Sequence, residues 1–168
     1  MSYKEKRTIV SVVTGIIILA AYCIYTYGKY QSGAITSDNM KAWAGIALVF
    51  VGIGVAASII VQIIFHILMS ISIAIQEKAK NGSCDDKEIE KAIDIEMATD
   101  EMDKLIELKA MKVGFIIAGI GFIAALATQI FNYPPAVMLN VMFISFSAGS
   151  VLEGLAQIIF YKRGITNG

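Results

Sequence analysis

Residues 42–75 read AWAGIALVFVGIGVAASIIVQIIFHILMSISIAI, a run without one Asp, Glu, Lys or Arg. A bilayer core about 30 Å thick needs about 20 apolar residues in a helix. As a helix this run would extend about 51 Å, more than tilt alone absorbs. Its tail offers another answer. Ile64, Leu68, Ile71, Ile75 and Ala79 keep helical spacing as a narrow apolar stripe, with Ser70, Ser72, Gln76 and Lys80 off it. The reading is one helix that crosses the membrane over about 42–66 and continues into water to about residue 80.

Three further segments meet the same criterion, about 8–28, 113–131 and 137–161. The fold expected is all-α: a four-helix transmembrane bundle forming one integral membrane domain over 1–168, embedded in a lipid bilayer. Composition agrees. The chain has 168 residues, 57% of them hydrophobic and 17% charged, with a mean hydropathy of +0.68, against about 25% charged in an ordinary soluble domain. Net charge is zero, without the basic footprint of a nucleic-acid binder. The first span is too long for a cleaved signal peptide, and no small-x-small site follows it. Tyr22, Tyr25, Tyr27 and Tyr30 read as an interfacial aromatic belt, with Trp43 and Tyr133 on the same membrane face.

Basic residues set the orientation. Of the 14, only Lys29 and Lys41 fall between spans one and two; the others flank the opposite ends. The positive-inside rule then places both termini and the segment 67–112 in the cytoplasm of a multi-pass cell-membrane protein. The Asn81-Gly82-Ser83 sequon faces the wrong side for glycosylation and reads as an ordinary turn. Cys23 lies in an apolar span and Cys84 in a charged segment, so no disulfide joins them.

The insert 67–112 predicts a protruding cytoplasmic hairpin. Thr99-Asp100-Glu101 reads as a helix start with Thr99 as cap, and Met102, Leu105, Ile106 and Ala110 form a stripe leading into span three. The tail of span two and this stripe are expected to pack as an antiparallel pair, with Leu68, Ile71, Met102 and Ile106 in contact. Between them, Ser83 with Asp86 resembles a capping box that opens a short amphipathic helix bearing Ile89, Ile93 and Met97 on one face. Eleven acids lie between Glu77 and Glu107. Glu88, Glu90, Asp94, Asp100, Glu101 and Asp103 read either as a solvated face laced with i,i+4 pairs or as a docking surface for a soluble cytoplasmic protein.

Gln62-Ile63-Ile64-Phe65 recurs as Gln157-Ile158-Ile159-Phe160, which suggests an internal repeat with both hairpins starting and ending inside. In that register Gly54 falls on Gly149 and His66 on Tyr161, which makes His66 interfacial. Glu153 lies eight residues before Tyr161, about 12 Å into the apolar layer, where a carboxylate is costly unless paired or protonated. With Gln157, Ser58, Gln62 and Thr14 it forms the expected intramembrane polar cluster, either a proton, cation or ligand contact or polar glue in the bundle or across an oligomer seam. Asn140 and Gln129 read as helix-to-helix hydrogen bonds nearer the outer surface. Gly54-xxx-Ser58, Ser145-xxx-Gly149 and Ser150-xxx-Gly154 are small-xxx-small patterns that support close packing.

No Ser-His-Asp set, metal-ligand cluster or phosphate-cradling loop is visible, so the chain reads as a non-enzyme without metal or cofactor. The stretch Asp100-Glu101-Met102-Asp103-Lys104-Leu105-Ile106 resembles the acidic juxtamembrane motif of an uncharacterised family of small four-span prokaryotic membrane proteins. The third motif position is basic in that pattern and is Met102 here. The resemblance implies the topology and a prokaryotic source, and no activity. Two function classes follow: an interaction, regulatory or sensing protein that docks a partner on its acidic hairpin, or an oligomeric channel or small transporter that uses Glu153. The long insert favours the first.

Overall fold

In a computed structural model the described residues are 3–81 and 86–163, with the backbone alone described at 80, 81 and 86. Cys84, the turn at the sequon and the Ser83–Asp86 pair lie outside the described residues and side chains. Five helices follow in order: α1 Tyr3–Gln31, α2 Met40–Asn81, α3 Asp86–Met97, α4 Glu101–Ile130 and α5 Pro135–Arg163. There is no strand among the described residues. α1, α2, α4 and α5 are each long and apolar enough to cross a membrane, as a multi-pass membrane protein requires.

α2 runs unbroken for 42 residues, about 63 Å, so the helix does continue past His66. The partner of its tail is not the one expected. The tail packs on α3, whereas α4 packs along α5, and among the described residues α2 and α4 form no packed seam. Leu68, Ile71 and Met102 are all exposed, and only Ile106 of the expected contact set is buried. This corrects the antiparallel α2–α4 hairpin. The physical reason is competition: α3, with Ala92 and Ile95 beside Met69 and Ile73, lies along the tail, and the first turns of α4 find α5 instead. An apolar stripe specifies a buried face and leaves its partner open.

The start of α4 is also one residue later than expected. Asp100, not Thr99, is the N-cap. Its side chain accepts from the Asp103 N–H at 2.6 Å, and Asp103 accepts from the Asp100 N–H at 3.2 Å. This reciprocal pair satisfies two of the helix's orphan donors.

α5 and α1 occupy the centre. α4 lies against α5, and α2 lies mainly against α1 with a smaller contact to α5. The α4/α5 seam is built from small residues. Gly114 faces Gly149, and Gly121 faces Ser145 so closely that a methyl at 121 would collide with the Ser145 side chain. The Ser145-xxx-Gly149 pattern thus finds its partner in α4, where missing side chains let two backbones approach.

The α1/α2 seam uses larger groups. Tyr22 has no exposed surface; its ring stacks on Phe143 at 3.9 Å between centroids and meets Phe50 edge-on at 5.3 Å. Its hydroxyl donates to Asn140 Oδ1 at 3.0 Å. Tyr22 therefore joins three helices in the core and is not part of an interfacial belt, which leaves Tyr25, Tyr27 and Tyr30 exposed. Trp43 is likewise buried, with Nε1 donating to the Thr36 carbonyl at 3.0 Å. Both residues have a polar tip that finds a bond inside the protein, so the aromatic body can be buried with it.

At this end the two short loops are tied together. The Ala136 N–H donates to the Ser37 carbonyl at 3.3 Å. Asn39 accepts from the Ala42 N–H at 3.1 Å and caps α2, and Pro135 opens α5, where a missing N–H costs nothing. At the other end Tyr3 packs on Phe65 and meets His66 edge-on. Tyr161 donates to Asp103 Oδ1 at 3.0 Å. Both described ends of the chain therefore lie at one end of the bundle.

Candidate functional site

The first turns of α1 carry Lys4, Arg7, Thr8 and Ser11, a spacing that puts all four on one helix face. Ser150, Glu153, Gly154 and Gln157 repeat that spacing on α5. These two faces border a cavity of about 200 Å³ near the end of the bundle where Tyr3 and Tyr161 lie. α2 contributes Gln62 to its wall and α4 contributes Glu107. Its inner end narrows where Gly15 meets Val151, and its side closes where Gly154 lets Val12 and Thr8 approach.

The polar groups are partly paired. Arg7 Nη2 donates to Gln62 Oε1 at 2.7 Å. Thr8 Oγ1 lies 2.9 Å from the Lys4 carbonyl and 3.1 Å from Gln157 Oε1. Lys4 Nζ stands 3.9 Å from Glu107 Oε1, a loose ion pair. Glu153 is different: among the described residues its carboxylate makes no hydrogen bond and no ion pair, although it borders the same cavity as two cations. Gly114 of α4 leaves room for it, since a methyl there would sit 2.9 Å from Glu153 Oε2.

That neighbour changes the setting of Glu153. Gly114 is two residues past Lys112, so Glu153 stands level with the last charged turn of α4 and is not isolated among apolar groups. Reading depth from Tyr161 alone exaggerates the isolation, because α4 stays charged well above Tyr161's level.

The expected polar cluster separates. Glu153, Gln157 and Gln62 come together at the cavity. Ser58 is not among its lining residues, and Thr14 bonds the Val10 carbonyl of its own helix at 2.9 Å. His66 is exposed and touches Tyr3. The acidic set separates as well. Glu88, Glu90 and Asp94 are exposed on α3, and Glu101 is exposed on α4, but Asp100 and Asp103 are engaged in capping and in the bond to Tyr161. Asn140 does join two helices, whereas the Gln129 amide bonds locally to Thr128 and Tyr133.

Lys4, Arg7 and Glu107 were missed as site residues. The first two carry a signal in the sequence: with Thr8 and Ser11 they make a polar stripe entering an apolar span, beyond what orientation needs. Glu107 carries none, because its place depends on α4 lying against α5. No cluster of three or more His, Cys, Asp or Glu side chains is placed to hold a metal ion among the described residues. Comparison with protein-family models, with curated proteins and with solved structures finds no match to this chain.

Proposed function

We propose that this protein is a small multi-pass protein of the cell membrane that admits a small polar solute to the cavity between α1 and α5, acting as a carrier or as a solute sensor, without catalysis. One observation carries this reading: an unpaired carboxylate, Glu153, borders a cavity that also holds Lys4 and Arg7. A carboxylate at this level of the bundle with no hydrogen bond of its own calls for water or a ligand to meet it. The cavity end is the cytoplasmic end on the positive-inside rule. The likeness of 100–106 to the small prokaryotic four-span family is in keeping with this placement. The long exposed apolar face of α2 suits lipid or a second copy in a homo-oligomer.

A second reading keeps a regulatory role. The exposed Glu88, Glu90 and Asp94 of α3 support docking of a soluble cytoplasmic protein. On this reading the acidic surface is smaller than the sequence implied, since Asp100 and Asp103 hold the fold.

Cysteine labelling tests the first reading. In a background with Cys23 and Cys84 replaced by Ala, Ser150→Cys in the cavity and Ile123→Cys on the exposed apolar side of α4 are treated with a small charged methanethiosulfonate in inside-out vesicles. Only a hydrated thiol ionises and reacts readily, so Ser150→Cys should react at least about tenfold faster. Equal, slow reaction at both sites sinks the reading. Glu90→Cys should label in the same vesicles and Ser37→Cys only in intact cells; the reverse pattern defeats the orientation.

A further inference from the structure

The charges around the cavity are arranged in an order. Gly154 packs on Val12 and Thr8, so its neighbour Glu153 sits about 8 Å deeper along α1 than Arg7, five residues at the helical rise. Lys4 lies one further turn toward the mouth. The rim therefore carries Lys4, Arg7 and Glu107, a net positive set in which Lys4 and Glu107 form only a loose pair at 3.9 Å, and the inner wall carries Glu153. Gln62 holds the Arg7 side chain toward α2 through one N–H. A guanidinium has five N–H donors in a planar fork, so Arg7, which lines both this cavity and the groove beside Tyr3 and His66, keeps donors beyond the one given to Gln62. Glu153 has no partner among the described residues.

Opposite charges at fixed separation, each incompletely paired, complement a molecule that carries the inverse charges at its two ends. We propose that the cavity binds a small soluble zwitterion, ammonium end first, with the primary ammonium on Glu153 and the carboxylate or phosphate on Arg7 and Lys4. A bare cation would meet the rim charges before it reached Glu153, and a bare anion would have no reason to pass them. A zwitterionic phospholipid has the wrong polarity for this order. Its phosphate stays near the interface and its ammonium points to water, whereas here the carboxylate lies deeper than the cations. The proposal rests on the cavity reading above and adds the class of ligand.

The test uses the full chain in nanodiscs of phosphatidylcholine. Glycine, β-alanine, 5-aminopentanoate and phosphoethanolamine are the zwitterionic probes; propylamine and propionate each supply one end only. The readouts are the thermal midpoint and protection of Ser150→Cys from the thiol reagent. At least one zwitterion, at about a hundredfold over its dissociation constant, should raise the midpoint by roughly 5 °C or more and slow labelling. Neither single-ended probe should match it.

Glu153→Gln should weaken that zwitterion at least about tenfold while leaving folding intact, because the isosteric amide no longer offers a charge to the ammonium. Arg7→Gln should reduce the preference for the zwitterion over propylamine. If Glu153→Gln does not fold, the Arg7→Gln arm and the protection assay decide alone. Absence of any shift and any protection by all four zwitterions overturns the proposal, as does equal binding of propylamine and the best zwitterion. A stabilisation that appears only in nanodiscs containing phosphatidylethanolamine assigns the site to a lipid headgroup and also overturns it. A reactive Ser150→Cys with no zwitterion effect leaves the cavity reading standing and removes this one.

Discussion

α4 against α5 and α1 against α2 are both antiparallel helix pairs joined by short loops, and α2 and α5 even share the string Gln-Ile-Ile-Phe. They pack by different means. The α4/α5 seam brings two backbones together through Gly114, Gly121, Ser145 and Gly149. The α1/α2 seam is spaced by rings and branched chains: Tyr22 with Phe50, Tyr3 with Phe65, and Ile18 near Gly54. The shared glutamines also diverge. Gln62 bonds Arg7, its neighbour within the first pair, whereas Gln157 bonds Thr8 of α1, outside its own pair. A faithful repeat would have turned Gln157 toward α4. The contrast separates a rigid pair from a pair with polar room between it and α5, and that room is the cavity.

Gly121→Leu should break the rigid seam most severely. Overpacking against Ser145 in a backbone-to-backbone contact should cost about 3 kcal/mol or more, read as unfolding in mixed micelles. Gly54→Ala in the looser seam, where the nearest atom to a new methyl is 3.9 Å away, should change stability by less than about 0.5 kcal/mol. Equal costs at the two glycines would erase the distinction.

The sequence displayed Gly54 and Gly149 in small-xxx-small patterns but could not say what they faced, and it did not single out Gly114 or Gly121. Partner choice is a tertiary property, and the same limit explains the tail of α2, where a clear stripe gave the right helix and the wrong neighbour. The four spans were legible because apolar runs of that length have few other uses. The polar cluster was legible in part, through Glu153, Gln157 and Gln62 at the right helical depth. Ser58 and Thr14 share that depth, but depth along a helix does not fix the face. Tyr22 was misread for a related reason: Tyr suits both an interface and a core with a hydrogen-bond acceptor, and only Asn140 across the bundle decides between them.

Tyr22 sharpens the comparison from the other side, since it fastens the α1/α2 pair to α5. Tyr22→Ala should cost about 3 kcal/mol through the cavity it leaves among Phe50, Phe143 and α1. Tyr22→Phe keeps the ring and loses only the bond to Asn140, so it should cost about 1 kcal/mol. The same micelle unfolding assay checks both, and a Phe variant as damaged as the Ala variant would show that ring packing is not the main contribution.

A smaller effect than those of Gly121→Leu and Tyr22→Ala lies at the start of α4. Asp103→Ala removes half of the capping box and the acceptor for Tyr161, and should cost about 1–2 kcal/mol. In a Tyr161→Phe background the same substitution should cost less, because one of its two bonds is already gone. A double-mutant cycle measures the difference. A coupling of zero would mean that the α4/α5 pair owes nothing to its charged end.

The bond from the Ala136 N–H to the Ser37 carbonyl, together with buried Trp43 and Tyr22, fastens α1, α2 and α5 at the end remote from the cavity. At the cavity end the same three helices are tied by polar side chains, Arg7 to Gln62 and Thr8 to Gln157. Those struts stand at the edge of the cavity, so any solute that bonds Arg7 or either glutamine competes with the braces that hold its own walls together.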